Sequence, residues 1–392
     1  MKKLLFVIPT MRMGGAEKAL VSLLKSLDKT KVSVDLFLFE HGGILQSQIP
    51  DWVHILPEDI VTRAMTLEFR FFWKDLLKKG KIRAATARLW MKIQPSIRKR
   101  LHQAPKSSWE IASKYIKAQE RAYDAAIGFL EGTADFYAID KVCADRKIGW
   151  IHSDFSGRKL PPDEEERYCR FDFLVTITEQ CKQSFIQILP QTSKKLLVIE
   201  NIVCVNDVRA AASLPMKDTW EQTQPQILTV GRLEYQKGID IAAEASLILK
   251  KRGIAHNWHV IGAGSLESKL RSFILENHLE DAFVLDGQKS NPYPYMKRAD
   301  IIVQSSRREG KSIVLDEAKI LGKAIVTTNY PSVSDQITDG IDGLVVEMNP
   351  YAVADGVIKL LEDRKLIKQL EQNCLLCASS ATSPVEKFYR II

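Results

Sequence analysis

The sequence predicts an α/β protein made of two parallel-sheet units, and three observations carry that reading. Its 392 residues are long for one domain and comfortable for two, each able to bury a substantial core. The start reads strand (Lys3 to Pro9), glycine-bearing turn (Met13 to Gly15), helix (Ala16 to Leu27), strand (Val32 to Phe39), a βαβ opening that calls for parallel pairing. The same grammar restarts after a polar, Pro-bearing stretch, SLPMKDTWEQTQPQ, at 213–226.

Each element has its own signal. MKKLLFVIPTMRMGG begins like a signal peptide, but the apolar run from Leu4 to Ile8 is too short for that and ends in Pro9, so it reads as the first strand. In the second unit ILTVGRL is a strand and turn, and GIDIAAEASLILKKRG is a helix closed by Gly253. NWHVIGAG is a strand and turn, and LESKLRSFILENHL a helix. AFVLDG, ADIIVQSS and KAIVTTN are short apolar runs suited to strands buried on both faces. The expected division is 1–205 for the first unit, 206–375 for the second, and 376–392 for a C-terminal helix.

Apolar residues make up 45% and charged ones 27%, the balance of an ordinary globular protein rather than a collagen-like or disordered chain. Six scattered cysteines do not make a disulfide framework, and a reducing cytoplasm fits them. Cys374 and Cys377 form a lone CxxC without the second pair a zinc site needs. No stretch approaches the length of about 20 apolar residues that spans a bilayer, so membrane contact is expected to be peripheral.

The basic charge is local. Residues 61–121 hold 16 Lys or Arg against four acids, an excess of 12, whereas the whole chain carries +8. Phe69, Phe71, Phe72, Trp73, Trp90 and other apolar residues are interleaved with these cations. One account is a solvated helical face over ordinary core aromatics. The other is a helical insert that lies on anionic lipid at the inner face of the cell membrane. No nucleic-acid motif accompanies the charge, so that partner is not expected.

The chemistry concentrates in SSRREGKSIVLDEAKILGK, residues 305–323, where Glu309 and Glu317 stand eight positions apart. Apolar residues at Ile313, Val314, Ala318 and Leu321 follow helical spacing, which places Glu309 and Gly310 in the loop feeding a helix that begins near Lys311. The amides of Gly310, Lys311 and Ser312 are then candidates to meet a phosphate at the positive end of the helix. Six residues of helix, about 9 Å, separate Lys311 from Glu317, roughly the reach from a diphosphate to a ribose. Helix capping by Glu309 and solvent exposure of Glu317 are the plain alternatives.

Other candidates sit at strand ends. VGRLEYQKGID puts Arg232 and Lys237 in the first strand-to-helix connection of the second unit, where open parallel sheets gather ligands. Gly262 and Gly264 in VIGAGSLE lack the third glycine of a dinucleotide fingerprint, so they suit a tight loop near a base better than NAD. Gly14 and Gly15 occupy a turn in the first unit. His152 in IGWIHSDFSG and Glu131 in GFLEGTADF follow strands, and a lone histidine is often structural. The chain has no Asp-x-Asp pair to hold a metal-bound diphosphate.

Taken together, these residues resemble the retaining nucleotide-sugar glycosyltransferases of the GT-B fold, the family-four group of bacterial capsular and exopolysaccharide biosynthesis. The resemblance implies two Rossmann-like domains facing across a cleft, with a final helix, here ending in VEKFYRII, that returns to the first. It implies that Arg232 and Lys237 hold the diphosphate, Glu317 the ribose, Glu309 the donor-sugar hydroxyls and His152 the sugar, with Gly14 and Gly15 near phosphate or acceptor. Metal-independent transfer of a hexose from a UDP-sugar to a lipid-linked or saccharide acceptor follows from the same likeness. One departure is that Lys311 and Ser312 replace the Phe-Gly pair of many members. A catalytically silent GT-B partner of another transferase is the alternative, and an NAD-dependent oxidoreductase a third reading.

Overall fold

The structure is a computed structural model that describes residues 1–12, 14–67, 76–100, 107–216, 220, 223–377 and 384–392. Phe69, Phe71, Phe72, Trp73, Arg70, Lys74 and Lys106 of the basic segment therefore lie outside the described residues. The chain divides into two compact units, Met1–Ile202 with Ser383–Ile392, and Val203–Thr382.

The first unit is a seven-stranded parallel sheet in the order β3-β2-β1-β4-β5-β6-β7. Its strands are β1 (Lys2–Ile8), β2 (Val32–Leu38), β3 (His54–Ile55), β4 (Ala122–Gly128), β5 (Cys143–Ile151), β6 (Phe173–Thr176) and β7 (Leu196–Val198). The run from Leu4 to Ile8 is inaccessible to solvent, because helices cover both faces of a central parallel strand. Helix Gly15–Ser26 connects β1 to β2, one residue earlier at each end than the periodicity predicts.

Two glycines explain how β4 and β5 lie against helix Thr133–Lys141. A Cβ on Gly128 would come within 2.4 Å of the Asp135 backbone, and one on Gly149 within 2.9 Å of Leu174. Asp135 is fully buried there, and its Oδ1 accepts the Trp150 N–H at 3.1 Å. Burial drives its carboxyl pKa well above the ordinary value, with the Glu131 charge adding to the rise. Within the basic segment the described helices are Ile60–Thr66, Ile82–Arg100 and Ser108–Ala112.

The second unit is a six-stranded parallel sheet in the order β10-β9-β8-β11-β12-β13. These strands are β8 (Gln226–Val230), β9 (Asn257–Ile261), β10 (Phe283–Gly287), β11 (Ile301–Gln304), β12 (Ala324–Thr328) and β13 (Leu344–Val346). Helix Ile239–Lys251 packs seven buried residues beneath the sheet and stops before Gly253, whose φ of 74° terminates it as expected. In both sheets the strand order reverses at the centre, between β1 and β4 and between β8 and β11, the position at which such sheets bind ligands.

Helix Arg364–Cys377 belongs to the second unit, whereas helix Pro384–Ile391 belongs to the first. Pro384 stands in the first turn of the latter, where a missing N–H leaves no bond unmade. Phe388, fully buried, packs at 5.8 Å from the Phe6 ring and 5.9 Å from the Trp150 ring. Among the described residues no helix is long and apolar enough to cross a membrane.

Candidate functional site

In the second unit the loops leaving β8 and β11 meet at their C-terminal ends. Lys237 Nζ donates to Glu309 Oε1 at 2.6 Å, with the two side chains 20% and 7% exposed. Gln304 Nε2 and Ser306 Oγ donate to the same oxygen at 2.9 and 2.6 Å. Ser332 Oγ donates to the Glu309 carbonyl at 2.9 Å, so backbone and side chain are both fixed. Three donors on one oxygen fix the carboxylate and leave Oε2 as its remaining acceptor. Arg232 is exposed on the preceding turn.

The loop bearing Lys237 is fixed by glycine and by charge. Gly238 has φ 62°, and a Cβ there would lie 1.9 Å from the Ser305 carbonyl oxygen, so only glycine allows the two loops to touch. Arg307 donates to both carboxylate oxygens of Asp240 at 2.7 and 2.8 Å and to the Tyr235 carbonyl at 2.8 Å. Burial pushes the Asp240 pKa up, but this forked contact outweighs it and the net shift is downward.

Gly262 and Gly264 also serve loop contact. A Cβ on Gly262 would sit 1.8 Å from the Gly231 carbonyl oxygen, and one on Gly264 2.5 Å from that of Leu233. Glu234 completes the junction by accepting from Ser265 N at 3.1 Å and Ser265 Oγ at 2.7 Å.

Helix Ile313–Ile320 starts two residues later than the sequence suggests, and this changes which amides it offers. The Ser312 N–H donates to Gln336 Oε1 at 2.6 Å, while Gln336 Nε2 donates back to the Ser312 carbonyl at 2.8 Å. The expected phosphate amide at Ser312 is therefore already engaged by a side-chain amide. Lys311 departs similarly: its side chain is 8% exposed, with Nζ 3.6 Å from Asp316 Oδ2, so its charge is turned toward its own helix. Gly310 is buried beside Glu309.

Glu317 is not a solvent-facing helix acid. It is buried, and Tyr293 Oη donates to its Oε1 at 2.8 Å. Burial, and then the Glu317 charge, raise the Tyr293 pKa so that the phenol stays a donor. Sequence reasoning missed Tyr293, Gln304, Ser306 and Gln336. Tyr293 was within reach, since NPYPYM directly follows β10 at the ligand-binding end of the sheet.

In the first unit β4 and β5 bring Glu131 and His152 together. Glu131 Oε2 accepts the His152 N–H at 2.9 Å, and Oε1 accepts from Ser153 Oγ. The imidazole lies 5.0 Å from the Phe129 ring and stacks at 14° to Trp150, and both ring nitrogens are buried without a hydrogen-bond partner among the described residues. Burial lowers its pKa to about 4 against the opposing pull of Glu131 and the Phe129 backbone. The ring is thus neutral at pH 7. Gly14 caps helix Gly15–Ser26, and a Cβ there would meet only the movable Glu17 carboxylate.

Two units, one built on a seven-stranded and the other on a six-stranded parallel sheet, give the chain the GT-B fold of known glycosyltransferases. Staphylococcus aureus TarM in complex with Fondaparinux, alpha-GlcNAc-glycerol and UDP superposes with a TM-score of 0.69 at 16% identity, over 100% of this chain and 99% of that one. Anabaena HepE in complex with UDP and glucose gives 0.68 at 15% identity, over 100% and 98%. These likenesses establish the fold. Residues 213–374 match the family described as Glycosyl transferases group 1.

Among relatives, the Erwinia amylovora amylovoran biosynthesis glycosyltransferase is 31% identical over 157 residues, 38% of each chain. The Campylobacter jejuni N-acetylgalactosamine-N,N'-diacetylbacillosaminyl-diphospho-undecaprenol 4-alpha-N-acetylgalactosaminyltransferase is 28% identical over 205 residues, 51% of this chain and 54% of that one. The aligned stretches thus span from about two-fifths to just over half of these relatives' lengths.

Proposed function

We propose that the protein transfers a hexose from a UDP-sugar to a lipid-linked saccharide in polysaccharide biosynthesis, at the inner face of the cell membrane and with retention of anomeric configuration. The observation that supports this most directly is the Lys237–Glu309 contact at 2.6 Å inside a glycosyl transferases group 1 domain. It joins a cation suited to a diphosphate with a carboxylate suited to sugar hydroxyls. The relatives' roles in amylovoran and diphospho-undecaprenol saccharide synthesis favour this acceptor class, and UDP in the solved neighbours favours the donor.

In this reading Arg232 and Lys237 neutralise the leaving diphosphate, a charge that grows as the C1–oxygen bond breaks. Glu309 Oε2 accepts from donor-sugar hydroxyls, and Glu317, held by Tyr293, accepts from the ribose. The resemblance assigns His152 to the transferred sugar, and its imidazole is neutral at pH 7. The acceptor oxygen bonds C1 on the face the diphosphate leaves, and its proton passes to a donor phosphate oxygen. No metal takes part, because the two cations fill that role. Activity abolished by EDTA and restored by Mn²⁺ would overturn that element.

Incubation with a panel of nucleotide sugars, with released nucleotide as the readout, tests the whole proposal. UDP release from one donor, accelerated by a lipid-linked saccharide, is the expected result. Binding of UDP without turnover of any donor would point instead to a silent partner protein. Binding of NADH in place of UDP would point to an oxidoreductase.

A further inference from the structure

Helix Ile82–Arg100 presents two unlike faces. Ala84, Ala85, Ala87 and Met91 are buried, the first unit's core taking one side of the helix. On the other side Leu89, Trp90, Ile93 and Ile97 are 50%, 47%, 43% and 36% exposed, and Ile82 is 62% exposed. Positions 82, 89, 93 and 97 recur at helical spacing, so these side chains form one stripe, with Trp90 along its edge. A helix packed on a core normally turns charge, not a second apolar stripe, toward water.

The charge beside this stripe has a single sign. Residues 76–100 contain nine Lys or Arg and no Asp or Glu. Lys78, Lys79, Lys81, Arg83 and Lys92 are exposed, as is Leu77 at 44%.

We propose that the outward face of helix Ile82–Arg100, together with the cations at 78–83, seats the protein on an anionic lipid bilayer. The helix lies flat, its Leu89, Trp90, Ile93 and Ile97 side chains enter the boundary between headgroups and acyl chains, and the lysines and arginines meet lipid phosphates. Charge selects this occupant over the others. A second copy of the chain would set acid-free cationic surfaces against each other across a self-complementary interface. Nucleic acid would satisfy the cations but leave an isoleucine and leucine stripe facing phosphate. The inference extends the proposed lipid-linked acceptor, and its test uses neither donor nor turnover.

The experiment measures partitioning of the full chain onto vesicles of phosphatidylcholine alone and of phosphatidylcholine mixed with phosphatidylglycerol. Co-sedimentation gives the amount bound, and quenching by brominated acyl chains reports tryptophan insertion. Strong binding to the anionic vesicles, weak binding to the neutral ones and quenching on insertion are expected. Each cation near an anionic surface is worth about fivefold in partitioning, so Lys78→Gln, Lys79→Gln, Lys81→Gln and Arg83→Gln together weaken binding at least about 50-fold. Leu89→Ser, Trp90→Ser and Ile93→Ser together abolish quenching while circular dichroism is unchanged, because all three side chains are exposed. Unaltered partitioning in either variant overturns the proposal, as does equal binding to both vesicle types. A concentration-dependent dimer that the triple serine variant dissolves, with vesicle binding unchanged, assigns the stripe to self-association and overturns it too. Vesicle binding without consumption of any nucleotide sugar keeps this inference and removes the proposed function.

Discussion

Lys237 Nζ and Glu309 Oε1, 72 residues apart in sequence, stand 2.6 Å apart at the ends of adjacent strands. The pair is partly shielded from water, so each group holds the other in place before any donor arrives. Lys237→Ala and Glu309→Gln are each expected to cut turnover at least about 100-fold, the scale for a pre-organised electrostatic contact. Because the groups share one contact, the double variant should lose less than the product of the singles. A loss below about tenfold in either single variant, measured as kcat/KM, sinks the assignment.

The Glu317 carboxylate, oriented by Tyr293 at 2.8 Å, is expected to act on binding rather than on the chemical step. A ribose contact is present in ground and transition states alike, so Glu317→Ala weakens UDP affinity while kcat changes little. Tyr293→Phe should weaken it by about tenfold, the size of one hydrogen bond to a charged group. Calorimetric titration with UDP checks both. Unchanged affinity in Glu317→Ala would show that the carboxylate does not meet the nucleotide.

His152 gives a prediction that needs no substrate. Its folded-state pKa of about 4 lies below the ordinary 6.5, so between those values the unfolded chain binds the proton more readily. Stability from this residue is complete above pH 6.5 and is lost as pH falls toward 4. The loss is on the order of 3 kcal/mol. His152→Phe, which keeps the packing between Trp150 and Phe129, should flatten that part of the curve. An identical acid profile for the variant in denaturant titrations would contradict the burial argument.

Two glycine substitutions separate loop packing from ligand approach. Gly262→Ala puts a Cβ 1.8 Å from a backbone oxygen, and the melting temperature should fall by at least about 6 °C. Gly14→Ala meets only the flexible Glu17 side chain, so the melting temperature should hold within about 1 °C while turnover drops. Unchanged turnover would remove Gly14 from the site.

Much of this arrangement was legible because short-range rules govern it. The run Leu4 to Ile8, the glycine turn and the amphipathic helix after it announce a βαβ unit, and the repeat of that grammar after residue 226 announces a second. Lys237 and Glu309 could be proposed because strand ends of parallel sheets are predictable places. Gln336 could not, since its clasp on Ser312 spans 24 residues and arises from tertiary packing after β12. The inward turn of Lys311 depends on Asp316 one helical turn away, a partner competing with any phosphate that sequence spacing alone does not rank. The Tyr293–Glu317 contact likewise joins the helices that follow β10 and β11, strands consecutive in sequence but separated in the sheet by β9 and β8.

Helix Pro384–Ile391 bears on how the chain is made. Phe388 fills a place between Phe6 and Trp150 from a position some two hundred residues downstream of the first unit's other elements. A ribosome therefore delivers the whole of Val203–Thr382 before it delivers the side chain that closes the first hydrophobic core. The N-terminal unit thus cannot complete its packing ahead of synthesis of the second, as an N-terminal domain ordinarily does. The nascent first unit waits with Phe6 and Trp150 uncovered, and a chaperone that shields apolar surface has its longest opportunity there.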